Sequence, residues 1–318
     1  MKRILLTTWP SAFLHRGGGE QEILLLNEFL NASGVMSDIY GPTSRSLGAY
    51  DSVIHFSMQG GSELIVDELA GAGRHLILWP NLWFVDEPGE QQLERLSRLL
   101  ARFDAIVFKS HAEEAHFARY LSLEGKQVIR IAPLISPKFR RKGKVSRVFQ
   151  ESYGLDRYAI WPGIIEPQKN QLAAVEAFKG LDLNLVISGA IRDEAYAAEC
   201  RRAAGPNVTF IPVMPFGSEL HLSALAYSHL FIELSRDFPG TSALEAATMG
   251  CELLLSKSAW TAEFLADACT QVDADDIGQI RRAVEATLED SSRSAAGFTS
   301  LSMNDSVAPL LHYLEHIE

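Results

Sequence analysis

YAIWPGIIEPQKNQLAAVEAF, Tyr158 to Phe178, runs from a short apolar stretch through a Gly-Ile-Ile-Glu-Pro loop into a segment with an apolar helical face. A buried strand, a polar turn and an amphipathic helix in that order form the repeating unit of a parallel sheet covered on both faces. The spacing predicts a strand over 158–165 and a helix over 171–178. Downstream, strands are expected at 183–188, 208–211, 230–234 and 253–255. Helices are expected between and after them at 195–203, 219–227, 243–249, 261–266 and 277–289. Upstream the same alternation gives strands at 4–8, 52–56, 75–79, 105–108 and 127–131, with helices at 21–32, 62–70, 91–103 and 112–121. An amphipathic helix is expected over 306–317. The fold class is therefore α/β, with two Rossmann-like halves.

Between the halves, Ser136-Pro137 opens a stretch with six cations in ten residues and no acid: Lys138, Arg140, Arg141, Lys142, Lys144 and Arg147. Such a stretch reads as a domain boundary. The expected division is 1–140, 141–305 and a terminal helix, 306–318, packing back on the first domain.

A chain of 318 residues with 47% apolar and 22% charged residues supports two globular domains. Its net charge of −11 argues against general nucleic-acid binding. Cys200, Cys251 and Cys269 form no CxxC pair or Cys/His cluster, which argues against structural zinc and suits a reducing compartment. No apolar run reaches the ~18 residues of a membrane span. The apolar start Ile4-Leu5-Leu6 is broken by Thr7, Thr8 and Pro10 and reads as a first buried strand rather than a signal peptide.

Three segments carry candidate chemistry. Gly17-Gly18-Gly19-Glu20 lies between the first strand and a helix. Its glycines allow close backbone approach to an anionic ligand, or serve only as a flexible turn. The run lacks the spacing of a dinucleotide fingerprint and the Lys-Ser/Thr of a P-loop. The second segment is Gly163 to Gln171, at the carboxyl edge of a sheet, where α/β folds bind ligands. Lys169 is expected at a helix start, where a cation opposes the helix dipole and calls for an anionic partner. The third is Glu233 to Ala247. A strand ends there, a Pro-Gly turn follows, and Ser242 is a candidate cap for the next helix. Asp237 and Glu245 offer acceptors suited to sugar hydroxyls, and the amides at Thr241 and Ser242 suit a diphosphate.

Asp237-Phe238-Pro239-Gly240-Thr241-Ser242-Ala243-Leu244-Glu245-Ala246 has two acids with seven residues between them. With Gly163 to Gln171 before it, this stretch resembles the family-4 glycosyltransferases, retaining enzymes of the GT-B fold. The resemblance is strongest from Ile160 to Glu289. In the N-terminal half it rests on Gly18-Gly19-Glu20 and on residues 104–110 with the helix after them. It implies two Rossmann-like domains with parallel sheets facing across a cleft, an acceptor domain first and a donor-nucleotide domain second. It further implies Lys169 on the donor diphosphate, Asp237 on the transferred sugar and Glu245 on the ribose hydroxyls. Gly18 and Gly19 fall near the phosphates or acceptor, Gly163, Glu166, Gly240, Thr241 and Ser242 around the donor, and Val213 near the base. His111, just beyond a strand, is a candidate active-site histidine, with His15 and His116 as weaker ones. The implied activity is transfer of a sugar from a nucleotide-diphosphate sugar to a glycan or lipid-linked acceptor, with retention, without metal or cofactor, in the cytoplasm. The basic residues from Lys138 to Arg147 are a candidate contact with the inner membrane face, or a solvated linker.

Two departures stand out. Ile164 occupies the place of the family's arginine, and Asp237 is one methylene shorter than the usual glutamate. They keep open an alternative: a catalytically weakened GT-B-like binding or partner subunit. Arg192 and Arg236 are candidates for the missing cation. Asp273-Ala274-Asp275 resembles a manganese motif but reads as the cap of the helix that follows. Trp79-Pro80-Asn81-Leu82-Trp83-Phe84 reads as packing, or as the floor of an acceptor site.

Overall fold

The computed structural model describes residues 2–14, 17–140, 143–289, 298 and 301–317. The chain divides into two compact units, Met1–Leu134 with Leu301–Glu318, and Ile135–Ser300.

In unit 1, β1 (Arg3–Thr8), α1 (Gly18–Ala32), β2 (Met36–Ile39), β3 (Ser52–Phe56), α2 (Ser62–Gly71), β4 (His75–Trp79), α3 (Glu90–Leu100), β5 (Ala105–Phe108), α4 (His111–Ala118) and β6 (Gln127–Arg130) follow in turn. The six strands are all parallel, in the order β2-β1-β3-β4-β5-β6. Residues of β3 and β5 are buried throughout, as expected where helices cover both faces.

Unit 2 contains α5 (Val148–Tyr153), β7 (Tyr158–Pro162), α6 (Gln171–Ala177), β8 (Asn184–Ser188), α7 (Glu194–Ala203), β9 (Val208–Ile211), α8 (Glu219–Ala226), β10 (Leu230–Glu233), α9 (Thr241–Thr248), β11 (Leu253–Ser256), α10 (Ala259–Leu265), β12 (Thr270–Val272) and α11 (Ile277–Glu289). Its parallel sheet runs β12-β11-β10-β7-β8-β9. The chain builds outward from β7 through β8 to β9, then returns to the other side of β7 with β10. The order therefore reverses between β7 and β10, the switch point where open α/β sheets bind ligands at the carboxyl ends of their strands. Trp161, Phe178, Leu185, Ile187 and Ile232 fill the core beneath, each fully buried and each contributing about 1.5–3 kcal/mol. After unit 2 the chain returns to unit 1 as α12 (Met303–His316), which packs on α1 and β6.

Several expectations need correction. The first boundary falls at 134/135, not 140/141. Phe139, inside the basic stretch, is buried against Phe216 and His221, so this segment belongs to unit 2 rather than to a solvated linker. The second boundary falls at 300/301 rather than 305/306, and α12 begins at Met303, capped by Ser302 accepting from the Asp305 N–H. The sequence pattern does not foresee β2 and β12. Both are sheet edges without an apolar run, and Met36-Ser37-Asp38-Ile39 buries only Ser37. All three cysteines are free thiols. Among the described residues, no helix is long and apolar enough to cross a membrane.

Candidate functional site

The loops after β7 and β10 flank the switch point of unit 2, and they carry the second and third sequence motifs. A one-turn 3-10 helix, Pro167–Lys169, follows β7, with Pro167 pre-set for its first turn. Lys169 closes this turn rather than opening α6 as the sequence suggests. Asn170, at φ 59°, turns the chain between the two and ties its side-chain amide to the Ala274 carbonyl at 2.7 Å. Asparagine tolerates this left-handed geometry better than most residues. The Arg236 N–H donates to the Gln168 carbonyl at 2.9 Å and stitches the two loops together. On the other side, the Gly163 N–H donates to Ser188 and the Ile165 N–H to Ala190, so the β7 and β8 loops run side by side.

Lys169 is the centre of the site. Its Nζ donates to both carboxylate oxygens of Asp237, at 3.1 and 3.2 Å, and lies 3.9 Å from Glu233 Oε1. Burial opposes the ammonium, but Asp237 and Glu233 outweigh it, and the lysine is held above its usual range. Thus Lys169 does have anionic partners, Asp237 and Glu233, within the protein itself, although not for the helix-start reason expected from the sequence.

Glu233, the last residue of β10, is 3% exposed. Its Oε1 accepts from Ser235 Oγ at 3.0 Å and from the Gly240 N–H at 3.2 Å; its Oε2 accepts from Ser242 Oγ at 2.8 Å. Burial pushes its carboxyl above the usual range, against the pull of Lys169 and these three donors. Ser242 is therefore not the cap of α9. The cap position is Gly240, without a side-chain bond, and the Ser242 hydroxyl is spent on Glu233. Glu233 has no role in the sequence expectation. The available signal is an acid ending the apolar strand Leu230-Phe231-Ile232-Glu233, since a charge there needs a partner.

The structure gathers Lys169, Asp237, Gly240 and Ser242 around Glu233, and Glu166 bears electrostatically on Lys169. Glu166 pairs with Arg192 at 2.9 Å, and Arg236 pairs with Asp275 at 2.8 Å, so both candidate replacement cations hold acids of their own. Thr241 opens α9, and Glu245 is buried in its second turn. Gly163 lies on the strand edge beside Ser188. Val213 is 59% exposed beyond β9, away from the hydrogen bonds of the Lys169 cluster. Asp273 Oδ1 accepts from the Asp275 N–H, and Asp276 receives the Gln279 N–H, which accounts for that acidic run as turn and cap.

Unit 1 has its own switch point, between β1 and β3. Gly18 and Gly19 open α1 beside it, and the Gly17 N–H donates to Glu20 at 2.7 Å. A methyl on Gly19 would lie 3.0 Å from the Phe56 ring and 3.4 Å from the Asn81 amide, so a side chain here would press on both. At the ends of β3 and β4, Ser57 (φ 79°) and Asn81 (φ 41°) hold left-handed backbone. Such strain gathers at functional sites. Beyond β5, buried Lys109 pairs with Glu22 at 2.8 Å. His111 is the first residue of α4, on the surface, with Ser110 capping the helix. His116 accepts from the Phe84 N–H at 2.9 Å and stacks on Trp83 at 4.1 Å, a packing role. His15, Arg141 and Lys142 lie outside the described residues.

No protein-family model matches the chain, and no curated protein sequence matches it. Solved structures do. Sucrose-phosphate synthase from Thermosynechococcus elongatus superposes with a TM-score of 0.74 at 16% identity, over 92% of this chain and 91% of that one. HepE of Anabaena, solved in complex with UDP and glucose, gives 0.74 at 14% identity, over 98% and 100%. A UDP-forming α,α-trehalose-phosphate synthase from Burkholderia xenovorans gives 0.69 at 14% identity, over 100% and 99%. The chain shares the GT-B fold of these glycosyltransferases, two Rossmann-like units each with a parallel sheet.

Proposed function

We propose that the chain is a retaining glycosyltransferase of the family-4 type. It moves a hexosyl group from a nucleotide-diphosphate sugar to a hydroxyl of a glycan or lipid-linked acceptor, without a metal, at the cytoplasmic side of the cell. The observation that carries the proposal is the half-buried Lys169 ammonium at the switch point of unit 2, bracketed by loops that hold two acids, a helix N-terminus and a hydroxyl. That edge is where an α/β sheet receives a nucleotide. The shared fold with three sugar-transferring enzymes supports the assignment.

Catalysis in such a site is stabilisation of a departing diphosphate. Lys169 and the amides opening α9 face the negative charge that develops as the glycosidic bond breaks. Asp237 orients the sugar hydroxyls and Glu245 the ribose. The acceptor hydroxyl attacks from the face the diphosphate leaves, so the anomeric configuration is kept and no protein nucleophile is needed.

A thermal-shift screen against UDP, GDP, ADP and their sugars tests the proposal. At least one is expected to stabilise the protein, and Glu245→Ala to abolish that shift and any transfer. Stabilisation by none, or an unaltered Glu245→Ala, would overturn it. A second reading, a binding subunit with weakened catalysis, is favoured by Ile164 in place of a cation and by two acids on the one lysine. Nucleotide binding without turnover across a broad acceptor panel would decide for it.

A further inference from the structure

Glu233 has no counterpart among the residues assigned to the reaction, yet it sits where the donor diphosphate would draw on the same partners. Its carboxylate takes the Gly240 amide, the Ser242 hydroxyl and a share of Lys169. Around one ammonium stand two carboxylates, Glu233 and Asp237. A dianionic diphosphate arriving at Lys169 would place a third negative group in a buried site, where like charges are costly.

We propose, resting on the donor-site reading above, that Glu233 is the proton-linked charge of that site: its carboxyl takes up a proton from solvent when the donor diphosphate settles on Lys169 and returns it when the nucleoside diphosphate leaves. The hydrogen-bond geometry accommodates both states. In the charged state the Ser242 hydroxyl donates to Oε2 at 2.8 Å. With a proton on Oε2, that bond reverses. The carboxyl donates, Ser242 Oγ accepts, and the Ser242 hydrogen turns outward to the arriving phosphate. Oε1 keeps both of its donors, Ser235 and Gly240, in either state. One proton therefore removes a repelling charge and supplies the ligand with a hydroxyl donor. Burial already raises the Glu233 carboxyl before any ligand arrives. The other charged groups that bear on it are Lys169 and, through Lys169, Asp237 and Glu166.

Glu233→Gln separates charge from brace. Its amide oxygen still accepts from Ser235 and Gly240, and its NH2 group donates to Ser242. Isothermal titration of UDP-, GDP- and ADP-glucose into the whole protein between pH 6 and 8.5, in two buffers of different ionisation enthalpy, counts the protons. The diphosphate diester keeps its charge across this range. The wild-type protein is expected to take up close to one proton, with affinity falling up to about tenfold per pH unit as pH rises. Glu233→Gln is expected to take up none and to bind about tenfold more tightly than wild type at the upper pH. Ser242→Ala, which deprives the carboxylate of a donor, is expected to shrink the uptake. Binding by wild type without proton uptake, or equal uptake in Glu233→Gln, would overturn the inference while leaving the donor reading intact. Binding only by Glu233→Gln would support it, and binding by neither protein would overturn both.

Discussion

At the residue scale, Lys169 decides the charge balance of unit 2. Its side chain is 19% exposed and its two acids less so, which makes the cluster largely desolvated. Removing one member of a buried ionic group leaves the rest uncompensated, a loss of about 3 kcal/mol. Lys169→Ala is therefore expected to lower stability by about that amount in urea denaturation. Arg192→Ala, which breaks the open pair with Glu166, should cost under about 1 kcal/mol. A second buried titratable group makes a pH prediction. His221 accepts the Gly217 N–H at Nδ1, and burial holds the ring down to about 4 from 6.5. Between those values the unfolded chain binds a proton on this ring and the folded chain does not. The stabilisation is thus complete above pH 6.5 and falls by about 1.4 kcal/mol per pH unit as the pH drops towards 4. His221→Asn keeps an acceptor near the Nδ1 position and abolishes the titration. Urea midpoints measured from pH 7 to 4 should fall less steeply in the variant than in wild type.

At the element scale, the site depends on how the β7 and β8 loops continue beyond their strands. A methyl on Gly189 would lie 1.7 Å from the Gly163 carbonyl oxygen, which is backbone and cannot swing aside. Gly189→Ala must force the two loops apart, and the turn bearing Lys169 moves with them. A loss of about 3 kcal/mol is expected, at the upper end of overpacking costs, together with loss of nucleotide stabilisation. Gly41→Ala, with open space around its Cβ, should change the melting temperature little. The central strands were legible because burial on both faces leaves continuous apolar runs, as in Leu230-Phe231-Ile232 and Ala105–Phe108. Of the edge strands, β6 and β9 were legible, while β2 and β12 were not, because Met36-Ser37-Asp38-Ile39 and Thr270-Gln271-Val272 have no apolar run. Lys169 and Asp237 could be read from motif spacing. Their direct pairing could not, since it depends on β10 returning beside β7, which no local pattern encodes. Glu233 carried a local signal, an acid ending an apolar strand, but its approach to Lys169 depends on that same non-local step.

At the scale of the whole molecule, the chain leaves unit 1 at Leu134 and returns to it at Leu301. The basic stretch concealed the first crossing, because its buried apolar anchor Phe139 finds Phe216 and His221 some eighty residues further along the chain. The return is made by α12, whose Val307, Leu310 and Leu314 are buried. Its attachments are specific: the Ala132 N–H reaches Ser306, Lys2 reaches the Ile317 carbonyl at 2.7 Å, and Tyr313 meets His75 at 2.9 Å. The three apolar side chains together are worth on the order of 5 kcal/mol, a large part of the 5–15 kcal/mol that holds a typical domain. Ending the chain after residue 300 should therefore open unit 1, to which α12 belongs, while leaving the core of unit 2 intact. Hydrogen exchange read by mass spectrometry gives the test. Protection should collapse in α1, β1 and β6 and persist in β7, β8 and β10. A uniform loss across both units would show that the two fold as one cooperative block, and preserved protection in β1 and β6 would show that α12 is dispensable to the sheet it covers.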